Sequence, residues 1–296
     1  MYVRKHNATF LWLKNYEYTN HTAICPMKIK FYTVATHEND GFRRLIQSSG
    51  YWGIDLTVLG AGLEWVGFGQ KVNLFKAELQ KLNDDDIVGF VDGFDIVFFT
   101  GEEEIADKFK ALTTKQVDTY SLPFIKCPSC SVVDPDTECL VPDPEGETLV
   151  VEVSTGKVVF GAEQVCAPDI SLANRFPLDD SEYKFLNSGN FIGEVGELKK
   201  ITAEEIADTD NDQLYYQKKF LAGKPNIFGE VDGHEDLDSQ ESFEIVLDYE
   251  GQIFQCMEAG GEKILDQEEL QANSDRVFEA DRWAYPCIRH GHDKVL

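Results

Sequence analysis

Residues 87–99 read Ile-Val-Gly-Phe-Val-Asp-Gly-Phe-Asp-Ile-Val-Phe-Phe, and this stretch decides the fold. Ile87, Val88, Phe90 and Val91 are β-branched or aromatic, the composition of a buried strand. Asp92-Gly93-Phe94-Asp95 interrupts the run, and apolar residues resume at Ile96. Carboxylates at the end of a buried strand are costly without a partner, so such groups are usually paired or bound to a metal. Gly93 lets the backbone turn so that Asp92 and Asp95 face one point. Their oxygens suit Mg²⁺, Mn²⁺ or Ca²⁺. Two readings are open at this point. One is an Asp-x-x-Asp metal site that holds a nucleotide diphosphate. The other is an acidic turn, since Asp and Gly are ordinary turn residues.

Working outward, the flanks alternate strand and helix patterns. Met27 to Thr36 reads as a first strand, Gly41 to Ser49 as a helix and Asp55 to Leu59 as a second strand. Gly60, Gly62, Gly67 and Gly69 make a loop around Trp65. A helix over Lys71 to Leu82 follows, with Val72, Phe75, Leu79 and Leu82 on one face. Beyond the central stretch come a helix over Glu102 to Leu112 and strands over Val158 to Glu163 and Phe185 to Gly193. A helix starts near Gln213, and Ile253 to Cys256 is a late strand. This alternation predicts an α/β fold with a mainly parallel sheet. Ligands then sit beyond the carboxyl ends of the strands, where Thr36, Trp65, Asp92 and Asp95 gather.

Asn187, Ser188, Gly189 and Asn190 put small polar residues inside an apolar strand. That suits a backbone approached closely by a ligand, or equally a β-bulge. Asp208, Asp210 and Asp212 precede the helix at Gln213, where acidic residues also stabilise a helix start in their own right. The tail His290-Gly291-His292 reads, from the residues alone, as a solvated end.

Residues 1–26 read as an appended arm and 27–296 as the domain, with 113–157 an insertion carrying short strands of its own. Cys127, Cys130 and Cys139 in the insertion lack an evident fourth ligand, so free thiols or one disulfide are expected over zinc. The chain carries 53 acidic against 27 basic side chains, a net charge of −26, which argues against nucleic acid or an anionic membrane as a partner. No apolar run is long enough to span a bilayer, and no apolar segment follows the basic start, so no signal peptide is expected.

Several segments, in order, resemble one family. They are VATHENDGFRRLIQS from Val34, VLGAGLEWVGFGQKV from Val58, FVDGFDIVF from Phe90, FLNSGNFIG from Phe185, DNDQLYY from Asp210, IFQ from Ile253, and RHGH from Arg289 with Lys294 after it. This set resembles the glycosyltransferase domain of the multifunctional procollagen lysyl hydroxylases. The resemblance implies the GT-A fold, a Rossmann-like α/β architecture with a mostly parallel central sheet and helices on both faces. It implies transfer of glucose from UDP-glucose to galactosyl-hydroxylysine of collagen, with Mn²⁺ as cofactor. It implies Asp92, Asp95 and His290 as metal ligands. Thr36 and Phe94 match positions that contact the uridine, and Lys71 and Lys294 match basic positions near the phosphates. Trp65 matches an aromatic in a loop over the donor, with Asn187 and Gly291 close to the same site. Glu163 matches a carboxylate on the sugar side, and Asp210, Asn211 and Asp212 match the end of a poly-aspartate run. Asp212 is the first choice for the catalytic carboxylate, with Asp210 and Glu163 behind it. Members of the family work in the endoplasmic reticulum lumen, while a cytoplasmic, for example virus-encoded, form would also fit the missing signal peptide; the compartment is left open.

The chain also departs from the family's pattern. Phe94 stands where Tyr is common, Asn211 interrupts the acidic run, and Ala167 follows Cys166 where Trp is expected. The loop after Trp65 is shorter, and His292 replaces a usual Asn. Two other functions remain in play on sequence grounds: a UDP-galactose:hydroxylysine galactosyltransferase, and a non-catalytic module of the same fold with a binding or homodimerisation role.

Overall fold

The computed structural model describes residues 27–120, 124–126, 140–142, 148–177, 181–224, 237, 240–256 and 287–290. Two compact units divide it: Pro26–Thr114 with Ser154–Leu296 holds the central sheet, and Lys115–Val153 belongs to the other. The arm at 1–26 and the three cysteines of the insertion lie outside the described residues.

The larger unit starts with β1 (Ile29–Val34), α1 (Asp40–Trp52), β2 (Asp55–Leu59), α2 (Gly69–Leu79), β3 (Ile87–Val91), β4 (Ile96–Phe98) and α3 (Glu102–Thr113). The ends of α1 follow from local chemistry. Asn39 Oδ1 accepts the Phe42 amide at 2.8 Å, and Gly53 closes the helix at φ 68°, a left-handed conformation that glycine adopts without strain. In the other unit β5 (Thr114–Tyr120) pairs with β8 (Thr148–Ser154), and β6 (Phe124–Lys126) pairs with β7 (Leu140–Pro142). The chain returns through β9 (Val158–Glu163), a 3₁₀ turn at Ile170–Arg175, β10 (Phe185–Glu194), α4 (Val195–Ile201) and α5 (Asp212–Leu221). It ends in β11 (Ile245–Asp248), β12 (Phe254–Cys256) and β13 (Ile288–His290).

The sheet order is β2-β1-β3-β10-β9-β12-β13-β4, with β11 also paired to β9. The β1–β2, β1–β3, β9–β11, β9–β12 and β12–β13 ladders are parallel. β10 runs antiparallel to both β3 and β9, and β13 antiparallel to β4. The sheet is therefore mostly parallel, as the alternation predicts, with β10 inserted against the trend. Helix α4 and strands β11 and β13 are elements that the sequence pattern did not announce.

Strand alternation sorts the apolar residues onto two faces. Tyr32, Val34, Val88, Phe90, Phe160 and Phe191 pack with Val72, Phe75 and Leu79 of α2, Leu198 of α4, and Tyr216 and Phe220 of α5. Ile29, Phe31, Val91, Ile96, Phe98 and Val159 pack with Leu45 of α1 and Ile105 and Phe109 of α3. Helices thus cover both faces. On the first face Phe191 is a hub, stacked on Phe90 at 5.2 Å and on Phe160 at 4.6 Å. Each such pair contributes about 0.5–1.5 kcal/mol beyond its buried area.

The sheet cannot be flat. β3 and β4 stand five places apart in the strand order, yet only Asp92–Asp95 joins them. Five strand spacings in a flat sheet amount to about 24 Å. The chain from Val91 to Ile96 reaches at most about 18 Å. The sheet must curl, and the curl brings β13, at the far end of the sequence, beside the Asp92–Asp95 turn.

Candidate active site

The site is built where β3 stops. Gly93 packs so closely on β1 that an added Cβ would lie 2.5 Å from the Val34 carbonyl oxygen. Gly41 lets the start of α1 approach equally closely, since a Cβ there would overlap the Phe94 carbonyl. The Asp92 amide donates to the Gly189 carbonyl at 2.7 Å. These contacts hold Asp92 and Asp95 on one side of a rigid turn.

His290 completes the cluster. It pairs in register with Ile96, one residue past Asp95. Its Nε2 lies 3.2 Å from Asp95 Oδ2 and 3.6 Å from Asp92 Oδ2. One ligand atom from each of the three residues falls within 4.8 Å of the other two. The solvated tail read from the residues alone is thereby corrected: His290 ends a strand of the central sheet, and its ring is largely buried. Burial opposes charge on that ring, but the adjacent Asp95 carboxylate and the Cys256 thiol outweigh it and push the imidazole well above its usual range.

A second layer orients the ring. His290 Nδ1 meets Asn187 Oδ1 at 3.1 Å, which leaves Nε2 for the carboxylate side. Asn187 Oδ1 also accepts the Gly189 amide at 2.9 Å, and its Nδ2 donates to Glu163 Oε2 at 2.8 Å. Glu163 Oε1 accepts from Gln213 Nε2 at 2.6 Å. Glu163 therefore holds the Asn187 amide that holds His290, and the Gln213 amide on its other oxygen. Asn187 belongs to this layer, and the β10–β9 register shifts between Asn187 and Phe191, so the bulge is present.

Lys71 ties the metal-type cluster to the acidic loop. Its Nζ lies 2.7 Å from Asp92 Oδ1 and 2.7 Å from Asp212 Oδ2. Burial works against the ammonium charge, yet the two carboxylates win and raise its pKa. Ser188 Oγ adds a 3.2 Å bond to Asp212 Oδ2. Asp210 and Asn211 do not join this network. Asp210 is exposed and its Oδ2 accepts the Ala207 amide at 3.1 Å, while Asn211 Oδ1 caps α5 by accepting the Leu214 amide at 2.8 Å.

Thr36 sits two residues past the end of β1, its Oγ1 3.2 Å from His37 Nδ1. Phe94 stacks on the His37 ring. Trp65 is exposed and packs edge-on to Phe68 at 5.7 Å. The loop that carries both is pinned at its base, because Gly69 donates to the Asp210 carbonyl at 2.8 Å. A Cβ at Gly69 would lie 2.0 Å from the Ala207 carbonyl oxygen. Gly291 and Lys294 lie outside the described residues. Sequence reasoning missed Ser188, Gln213 and Gly189 as site builders. The run of small residues at 187–190 hinted at Ser188 and Gly189, while Gln213 was read only as the start of a helix.

The donor set is two carboxylates and one imidazole, with the imidazole held from behind by an amide oxygen. That set fits a divalent cation such as Mn²⁺, with two carboxylates and one imidazole supplied and coordination positions left for a ligand's oxygens. The sequence pattern of the PLOD GT domain matches residues 26–121 and 145–295. The chain belongs to the PLOD GT domain family. The mixed α/β sheet with helices on both faces is accordingly a GT-A, Rossmann-like glycosyltransferase fold, as the resemblance implied. The chain is 28% identical over 275 residues to the procollagen-lysine,2-oxoglutarate 5-dioxygenase of Drosophila melanogaster, which covers 90% of this chain and 30% of that protein. It is 29% identical over 263 residues to human procollagen-lysine,2-oxoglutarate 5-dioxygenase 2, covering 85% of this chain and 28% of that protein. It is 26% identical to an uncharacterized protein of Acanthamoeba polyphaga mimivirus, covering 88% of this chain and 44% of that one. The chain thus spans under half the length of these relatives. Among the described residues, no helix is long and apolar enough to cross a membrane.

Proposed function

We propose that this PLOD GT domain is a Mn²⁺-dependent hexosyltransferase that moves glucose from UDP-glucose to galactosyl-hydroxylysine of collagen or a collagen-like protein. The observation that carries the reading is the convergence of Asp92, Asp95 and His290, with Lys71 linking Asp92 to Asp212.

Asp92, Asp95 and His290 would hold the cation, with Asn187 fixing the ring through Nδ1. When bound, the cation neutralises charge that builds on the departing diphosphate. Lys71 places a buried positive charge beside it. Asp212, gripped by Lys71 and Ser188, would supply the carboxylate that stabilises positive character at the anomeric carbon. The exposed Trp65 and Phe68 form an apolar flap beside the acidic loop, suited to covering a sugar and excluding water. Glu163 positions Asn187 and Gln213.

The test is turnover with UDP-glucose and UDP-galactose, each with its matched acceptor, with Mn²⁺ and with chelator. Glucose transfer that is lost in chelator and in Asp92→Ala supports the reading. Transfer only from UDP-galactose to free hydroxylysine would replace it with the galactosyltransferase. UDP binding without any turnover would leave a binding module.

A further inference from the structure

β1 and β3 are neighbouring parallel strands, so the residues that follow them emerge side by side. His37 follows β1, and Phe94 follows β3. Their rings stack, with centroids 4.9 Å apart and planes 29° apart. His37 is exposed and Phe94 half-buried. The pair is held from two sides. Thr36 Oγ1 lies 3.2 Å from His37 Nδ1, and the start of α1 presses on the Phe94 backbone at Gly41. With Nδ1 engaged by Thr36, Nε2 is the nitrogen left for a ligand. The metal cluster needs neither ring.

The pair stands at the ligand end of the strands, within one or two residues of both Asp92 and Asp95 on the Phe94 side. Because the imidazole covers one face of Phe94, a planar base arriving at this end of the strands meets the exposed His37 ring. Phe94 offers it no polar atom, whereas the imidazole does. We propose that His37 reads the base of the donor nucleotide: Phe94 and Thr36 hold the imidazole in place, and Nε2 hydrogen-bonds a polar edge of the pyrimidine. The assignment rests on the donor-site reading above and adds to it a residue that selects the base.

The diphosphate and base halves of the ligand separate the two ideas. Calorimetry with Mn²⁺ would compare UDP, ADP and inorganic pyrophosphate on wild type, His37→Ala, His37→Gln and Asp92→Ala. His37→Ala is expected to weaken UDP about tenfold, the loss of one hydrogen bond. It should narrow the preference for UDP over ADP and leave pyrophosphate unchanged. His37→Gln should regain part of the UDP affinity, and thermal melting should hold in both variants because the ring is exposed. Wild-type UDP affinity in His37→Ala, with Asp92→Ala still unable to bind, overturns the role of His37 and spares the donor site. Equal losses for UDP and pyrophosphate in His37→Ala also overturn it, since His37 would then act on the phosphates. Failure of the wild-type protein to bind UDP sinks both.

Discussion

Gly189 makes room for His290: a Cβ on Gly189 would lie 2.3 Å from His290 Cε1 and 2.7 Å from Asp92 Oδ2. Real Cβ contacts do not come so close, so the ring or the carboxylate must move. Gly189→Ala is therefore expected to weaken Mn²⁺-dependent UDP binding at least about tenfold, or roughly 1.4 kcal/mol. The Gly189 backbone needs no special φ, so circular dichroism should show a folded protein. Unchanged affinity would mean that the three side chains do not share one ion.

His290→Ala removes the one ligand that arrives from the far end of the chain. Donor turnover at saturating acceptor is expected to fall at least about tenfold. Asp92→Ala or Asp95→Ala should abolish metal-dependent UDP binding outright. Near-normal turnover of His290→Ala, with the same Mn²⁺ dependence, would leave only the aspartate pair as the site.

Lys71→Met strips a buried cation from between Asp92 and Asp212. Removing one partner of a buried ion network typically costs roughly 3–5 kcal/mol, because the remaining charges lose their compensation. A large drop in melting temperature is expected, and a second substitution, Asp212→Asn, should recover part of it. If the double variant is as unstable as Lys71→Met alone, the Lys71–Asp212 bond carries no weight.

Asn211 departs from an all-aspartate run, and the structure gives it a structural task. Its Oδ1 caps α5 at the Leu214 amide, 2.8 Å away. Asn211→Ala is expected to cost about 1 kcal/mol. That corresponds to roughly 2–4 °C in melting temperature for a domain of this size. Asn211→Asp should preserve both stability and turnover, since either side chain supplies the accepting oxygen. A gain of turnover in Asn211→Asp would show instead that a carboxylate at this position takes part in the chemistry.

The described cysteines should be inert in the native protein. Cys166, Cys256 and Cys287 are unpaired and buried. Burial pushes the Cys166 thiol up to about 11 and the Cys287 thiol up to about 12. The thiolate is the reactive form, and a thiol near 11 is about one part in a thousand ionised at pH 8. Iodoacetamide at pH 8 followed by peptide mapping should leave all three unmodified until denaturant is added. Raising the pH toward 11 should speed modification of Cys166 first. Rapid labelling of native Cys287 at pH 8 would contradict its burial in the sheet.

Much of the frame was legible in the residues. Runs such as Ile87–Val91 and Val158–Glu163 announced strands because burial on both faces demands continuous apolar, β-branched composition. The periodic Val72, Phe75 and Leu79 announced α2 because a helix buries one stripe. Leu82 shares that period but falls beyond the helix, and still packs on the same core. β13 was not legible in the residue pattern, because three residues carry no period and its pairing with β4 is a long-range choice; only the resemblance that made His290 a metal ligand called for it.

The sequence by itself determined the alternation of strands and helices, the two apolar faces, and the Asp92-Gly-Phe-Asp95 turn, since each depends on neighbours within a turn or two of chain. Tertiary structure alone decided that His290 meets Asp95 at 3.2 Å, that Lys71 rather than solvent answers Asp212, and that Asn211 caps while Asp212 faces the site. The physical reason is the curl of the sheet. A four-residue connection between strands five places apart forces the β4 edge back toward β3, and that curl, set by all the ladders at once, selects which distant side chains share a point.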